Sequence, residues 1–289
     1  GAAMVDAFAH LNVVDLTVED DLTLTDDLTV NGDIDLEGSI DVNGTANLDV
    51  VDVDGAANFA ADVTFADGAD LITASAGTDN VRIGATAGDS IQSGGNFNTL
   101  VGTNAGTAIT TGDSNVAVGR NALDAEVAGS LSVAVGVGTL TSQTNSTATD
   151  VYNTAVGHAA GNQVTTGTQN TLIGGLNGDA LTGGAVNVAV GYGALTSDTL
   201  GSKSVALGHT TLANQNFTTA TDSFNTAVGH SAGSAVTTAR FNNLIGGLAG
   251  DALTTGNSNT AIGYNSLGSD TKGENSVAIG DQALATQNF

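Results

Sequence analysis

The sequence predicts an all-β fold, a repetitive parallel β-solenoid, and three observations predict it. Residues 153–217 align without a gap onto residues 225–289, at an offset of 72. Inside each block a five-residue phrase recurs: NTAVG ending at Gly157, NTLIG at Gly174, NVAVG at Gly191 and SVALG at Gly208. The chain holds 40 Gly, no Pro, no Cys and no Trp, and only 12% of its residues are charged. A short unit that cannot bury its apolar face alone must stack on its neighbours. The absence of Pro fits a backbone in which nearly every N–H is wanted in a ladder.

The rungs follow from the phrase. Its second-block copies end at Gly229, Gly246, Gly263 and Gly280, and a weaker upstream copy supplies Gly84, Gly102, Gly119 and Gly136. Steps are 17 residues inside a block, 18 at the first step and 21 where blocks join. Twelve rungs are therefore expected over residues 84–289, in three blocks offset by 72. In Asn153 to Gly157, Thr154 and Val156 face one side and Ala155 the other, while Gly157 turns the chain with a positive φ at no Cβ cost. Small Ala on the alternate face predicts close approach of a second layer, with packing on both faces of the strand. A second apolar segment follows in most rungs, as in QVTT (163–166), DALT (179–182) and GALT (193–196). Each rung is thus expected to hold two short strands and two turns.

The N-terminal part has a different period. Leu16, Leu22, Leu28, Ile34, Ile40 and Ala46 recur every six residues, and Val18, Leu24, Val30, Leu36, Val42 and Leu48 follow two places later. After Leu48 the phase slips by one, to Val51/Val53, Ala57/Phe59, Val63/Phe65 and Ala69/Leu71. Each hexad reads as one strand and one polar corner, and three hexads close a triangular coil. So few coils make a marginal core for one chain, which favours three chains interleaved in a shared prism. The expected organisation is a lead-in over 1–14, a hexapeptide β-helix or β-prism shaft over 15–71, a transition over 72–83 and the solenoid from 84. The opening GAAM is read as the mark of a processed, tagged or partial chain.

Charge excludes one class of partner. The formal net charge is −25, and residues 1–81 carry 18 of the 30 acids and no Lys or Arg. Phosphate backbones need a basic surface, so nucleic-acid binding is not expected. The acids read as a solvated face that keeps a repetitive β-protein soluble and discourages edge pairing. No apolar run is long enough for a membrane helix, so no membrane insertion is expected.

At SVAIG (276–280) the chain resembles the head repeats of trimeric autotransporter adhesins. The longer NTAIGYNSLGSDTKGENSVAIG (259–280) is similar to repeats of phage tail-fibre proteins, and DLTVNGD (27–33) resembles phage fibre shafts. The first resemblance implies a left-handed parallel β-roll that trimerises. The second implies a C-terminal chaperone domain, so a domain beyond Phe289 removed by processing or absent from this chain is expected. Adhesins of the first kind continue into a coiled-coil stalk and a membrane barrel, and neither pattern occurs in these residues.

Candidate sites are few. His158 and His230 occupy equivalent positions after their turn glycines, and three copies around a threefold axis would place imidazoles together as metal ligands. Arg120, Tyr192, Val137 and Asp281 share that column, which reads as a variable turn or interface position. GGLNGDAL (174–181) and GGLAGDAL (246–253) echo a calcium-binding nonapeptide, with Asp179 and Asp251 as ligands, although bridging calcium needs the motif on successive turns. Those acids otherwise stabilise their turns. The corners Asp15, Asp21, Asp27 and Asp33 form a further acidic column. No cofactor is expected beyond a structural cation such as calcium. With no Cys, few His and no aromatic sugar cleft, no catalytic constellation is legible, and no enzyme is expected.

The function expected is structural: a homotrimeric fibre, a phage or viral tail-fibre shaft or virion appendage involved in host attachment. Its partners would be further copies of itself, other virion or fibre proteins, and a host-surface glycan or receptor. The alternative is the head of a bacterial trimeric surface adhesin, located on the cell surface.

Overall fold

In a computed structural model the chain divides into two units, Gly1–Thr64 and Phe65–Phe289. The structure describes residues 75–288, all within the second unit. The expected lead-in, hexapeptide shaft and interleaved prism lie outside the described residues, as does most of the transition segment.

The described residues are all β, with no helix, and form a parallel β-solenoid of twelve turns. Sixteen strands follow in order: β1 (Val81–Ile83), β2 (Thr99–Val101), β3 (Val116–Val118), β4 (Gly129–Ser130), β5 (Val133–Val135), β6 (Thr149–Asp150), β7 (Thr154–Val156) and β8 (Thr171–Ile173). Then come β9 (Val188–Val190), β10 (Gly201–Ser202), β11 (Val205–Leu207), β12 (Thr221–Asp222), β13 (Thr226–Val228), β14 (Asn243–Ile245), β15 (Thr260–Ile262) and β16 (Val277–Ile279). Twelve of them build one sheet, β1-β2-β3-β5-β7-β8-β9-β11-β13-β14-β15-β16. Pairing is parallel and in register, as in Thr154↔Thr171, Ala155↔Leu172 and Val156↔Ile173. The remaining strands make two small pairs, β4–β6 and β10–β12, at the two 21-residue steps.

Alternation along each strand decides what is inside. Ala117, Ala134, Ala155, Leu172, Ala189, Ala206, Ala227, Leu244 and Ala261 are fully buried central residues. Their flanking neighbours, such as Val188/Val190 and Val205/Leu207, lie on the outer face and stay partly exposed. The expectation of packing on both faces is therefore met on one face only within a single chain. In the first rung Arg82 replaces the interior Ala or Leu and is held by the Ala87 carbonyl at 2.7 Å and the Asp89 carboxylate at 2.7 Å.

The second strand expected in each rung is absent from most of them. Those segments are runs of turns, because alternate residues adopt left-handed backbone conformations, many of them without being glycine. Thr210 (φ 50°) and Leu212 (φ 49°) illustrate the two positions concerned, two and four residues after the turn glycine. Such a conformation costs about 1–2 kcal/mol for an L-residue. Rung-to-rung bonding offsets that cost: the Thr210 amide donates to the Tyr192 carbonyl at 2.9 Å, and the Leu212 amide donates to the Ala232 carbonyl at 3.1 Å.

Core volume is conserved across a four-rung block by exchange between two columns. In the first two rungs of a block Gly stands four places after the turn glycine and an aliphatic residue seven places after it: Gly161/Val164 and Gly178/Leu181, then Gly233/Val236 and Gly250/Leu253. In the last two rungs Leu takes the first place and an acid or Gln the second: Leu195/Asp198 and Leu212/Gln215. A Cβ on Gly161 would lie 2.8 Å from Leu172 Cδ1 and 2.9 Å from Leu140 Cδ2, so the glycine makes room for neighbouring leucines.

Candidate functional site

Four features gather the polar chemistry of the described residues, and the first is an asparagine ladder. Each phrase opens on a buried Asn, or on Ser at the end of a block: Asn153, Asn170, Asn187 and Ser204, for example. The Asn153 side-chain oxygen accepts from the Asn170 amide at 2.9 Å, and its side-chain nitrogen donates to the Gly167 carbonyl at 2.7 Å. Asn170 repeats both bonds with Asn187 and Gly184. This ladder satisfies backbone groups at the corner, which burial makes costly to leave unpaired.

Serine cannot continue the ladder, and a buried acid–Gln pair bridges the gap. At the second junction Gln215 Nε2 donates to Asp198 Oδ2 at 2.6 Å and to Ser204 Oγ at 2.8 Å. Asn225 Nδ2 then donates to Gln215 Oε1 at 2.8 Å, restarting the ladder. Asp198 Oδ1 accepts from the Gly201 and Phe217 amides at 3.0 and 3.1 Å. Glu126, Gln143, Ser132 and Asn153 make the equivalent junction one block earlier, and Glu126 also accepts from Asn145. Burial pushes the Asp198 carboxyl above its ordinary value, opposed by the hydrogen bonds from Gln215, Phe217 and Gly201. Sequence reasoning missed these acids, because an isolated acid, between Ser and Thr in the case of Asp198, reads as surface. Their recurrence at Glu126, Asp198 and Asp270, each 17 residues before a Gln, was the available signal.

The His column is exposed and aromatic. Tyr192 stacks on His209 with centroids 5.6 Å apart, and His209 stacks on His230 at 5.2 Å and an angle of 3°. His158 lies in the same column but is separated from Tyr192 by Gly175, so His158 and His230 are not brought together within the chain. The column starts beside the turn glycines, of which Gly157 (φ 133°) and Gly191 (φ 139°) take positive φ. A Cβ on Gly191 would lie 2.6 Å from the Gly208 carbonyl carbon.

Asp179 and Asp251 stand at equivalent places four rungs apart with different surroundings. Asp179 accepts a bond from Thr196 Oγ1 of the next rung. Gly268 replaces that Thr above Asp251, whose Oδ1 is buried and unpartnered, and burial raises its pKa. Among the described residues no three His, Cys, Asp or Glu side chains come together as a metal would require.

The fourth feature is a surface pocket at the β10–β12 pair, with a volume of about 470 Å³. Phe224 and Phe241 stack at 5.8 Å, with Lys203 over the first ring at 5.1 Å and Arg240 over the second at 5.3 Å. Lys203 also pairs with Asp222 at 2.6 Å, and Ser202, Ala220 and Thr221 complete the wall. Both rings project from left-handed residues (φ 50° and 62°) and are about half exposed. Sequence reasoning missed this group too, since its signal is a departure from the 72-residue repeat. Leu131, Thr168 and Gln169 stand where Lys203, Arg240 and Phe241 stand one block later.

No helix among the described residues is long and apolar enough to cross a membrane. No known protein family, curated protein or solved structure matches the chain.

Proposed function

We propose that the chain is a structural fibre protein that works as a homotrimer, in a tail fibre or similar virion appendage that reaches toward a host surface. The observation that carries this reading is the outer face of the twelve-stranded sheet. Columns of β-branched and aliphatic residues run along it, and Ile173, Ile245 and Ile262 are 39%, 39% and 36% exposed. One chain buries only the opposite face, through its Ala and Leu column. Three copies placed face to face would remove these columns from water, each buried apolar Å² contributing about 25 cal/mol. Interlocked parallel ladders would then resist bending and unfolding along the fibre, a mechanical rather than catalytic role. The virion setting draws its support from the likeness of residues 259–280 to tail-fibre repeats.

Electron cryomicroscopy of native particles carrying this chain tests the reading. Three chains around one axis, joined to a tail or capsid, are the expected image. A trimer rooted in a cell envelope would move the function to bacterial adhesion, and a solitary monomeric solenoid would overturn the assembly.

A further inference from the structure

We propose that the Phe224/Phe241 pocket binds an acidic saccharide, a sugar carrying a carboxylate. The proposal deepens the attachment reading above by naming a ligand class, although its chemistry is independent of whether the fibre sits on a virion or a cell.

The fold does not require these residues. The corner position of Phe224 and Phe241 is filled in other rungs by polar residues such as Ser114, Gln169, Ser258 and Asn275 and by exposed apolar ones such as Phe97, Tyr152 and Val186, all with the same left-handed backbone. The corner therefore accepts either kind of side chain, and what sets Phe224 and Phe241 apart is that they stack on each other in successive rungs with a cation over each ring. Charge points the same way. The chain has five Lys and Arg against 30 acids, and two of the five meet here. Lys203 is neutralised by Asp222. Among the described residues the Arg240 guanidinium has no carboxylate partner and lies against the Phe241 ring. The pocket therefore keeps one uncompensated cation in a strongly anionic protein.

These groups fit the parts of an acid sugar. The Arg240 fork suits a carboxylate, held by charge-assisted hydrogen bonds. The Asp222 carboxylate and the Thr221 hydroxyl accept from ring hydroxyls, while the phenyl edges cover the apolar C–H face. A neutral sugar leaves Arg240 unanswered, and a nucleic acid would meet the repulsion of the whole chain.

The experiment is calorimetric titration of the native protein with glucuronate and with N-acetylneuraminate, glucose serving as the neutral control. The comparison variant is Arg240→Thr/Phe241→Gln, which installs the Thr168–Gln169 pair of the preceding block and so keeps a corner this fold already builds. The proposal expects saturable binding of at least one acid sugar, weakened by salt, and a loss of about tenfold or more in the variant. It is overturned by no binding of either acid sugar, by equal binding of glucose, or by equal binding in the variant. If the variant instead loses its oligomeric mass, the corner is a contact between copies and the proposal also fails. Sugar binding and mass are separate readouts, so failure here is distinguishable from failure of the fibre reading.

Discussion

Gln215 Nε2 donates to Asp198 Oδ2 at 2.6 Å, and both residues are fully buried with no cation beside them among the described residues. The carboxylate accepts only, so it orients the Gln215 amide, whose oxygen then accepts from Asn225. Asn225 in turn accepts from the Asn242 amide at 3.0 Å, and Asn242 from Asn259 at 2.9 Å. One buried acid near the end of a block thereby sets the direction of the hydrogen bonds along the ladder of the next block.

Asp198→Asn should destabilise the solenoid by about 1–3 kcal/mol, because a new N–H donor would face the Gln215 donor. Its pH dependence has a defined sign. The folded pKa lies above 3.8, so the contribution of this group is full below 3.8 and is lost as pH rises through the folded value. The stability advantage of wild type over the variant should shrink as pH rises through that window. Denaturant titrations of both proteins across it supply the check, and an advantage that grows with pH would refute the assignment.

Asp251 provides the converse case. Asn265→Gly/Gly268→Thr copies the Gly193/Thr196 arrangement and returns a hydroxyl donor to Asp251 Oδ1. The Asn265 change is needed, since a Cβ at Gly268 would collide with the Asn265 side chain, 2.8 Å from its Cγ. A gain of about 1 kcal/mol is expected at neutral pH, together with a fall in the Asp251 pKa. NMR titration of that carboxyl and thermal unfolding measure the two effects.

Gly191→Val should cost more than about 3 kcal/mol locally, because its backbone has φ 139° and the new Cβ would meet the Gly208 carbonyl. Stability in a solenoid is a sum over neighbouring rungs. Hydrogen exchange should therefore quicken around residues 174–208 while amides near Val118 and Ile262 keep their protection. A uniform loss along the chain would contradict the one-dimensional picture.

The strand phrase was legible because its period repeats in one dimension: Ala155 faces in, Val156 faces out, and Gly157 turns. The second half of each rung was not, since Leu195 and Leu212 look like strand residues and only their left-handed φ makes them turns. Leu at such a position is held by burial against the next rung, which no local propensity encodes. Asp198 was hidden for the opposite reason, as its neighbours are polar and its partner Gln215 lies one rung away. The Phe224/Phe241 pocket is visible in the sequence only as a break in the 72-residue repeat. The hexads of residues 15–71 lie outside the described residues.

Ile173→Asp/Ile245→Asp places charges on the outer face without touching the buried Ala and Leu column. The variant should keep its β-sheet circular dichroism yet lose self-association, because buried unpaired charges oppose contact between copies. Loss of sheet structure in the monomer would place these residues in the chain's own core instead.

Sedimentation equilibrium of the native chain is the most direct measurement of whether this solenoid is one strand of a trimeric fibre. The expected mass is three times the 28.2 kDa of one chain, constant over a wide range of concentration. A species of 28.2 kDa that persists at high concentration would contradict the fibre, leaving the outer aliphatic face exposed on a lone solenoid.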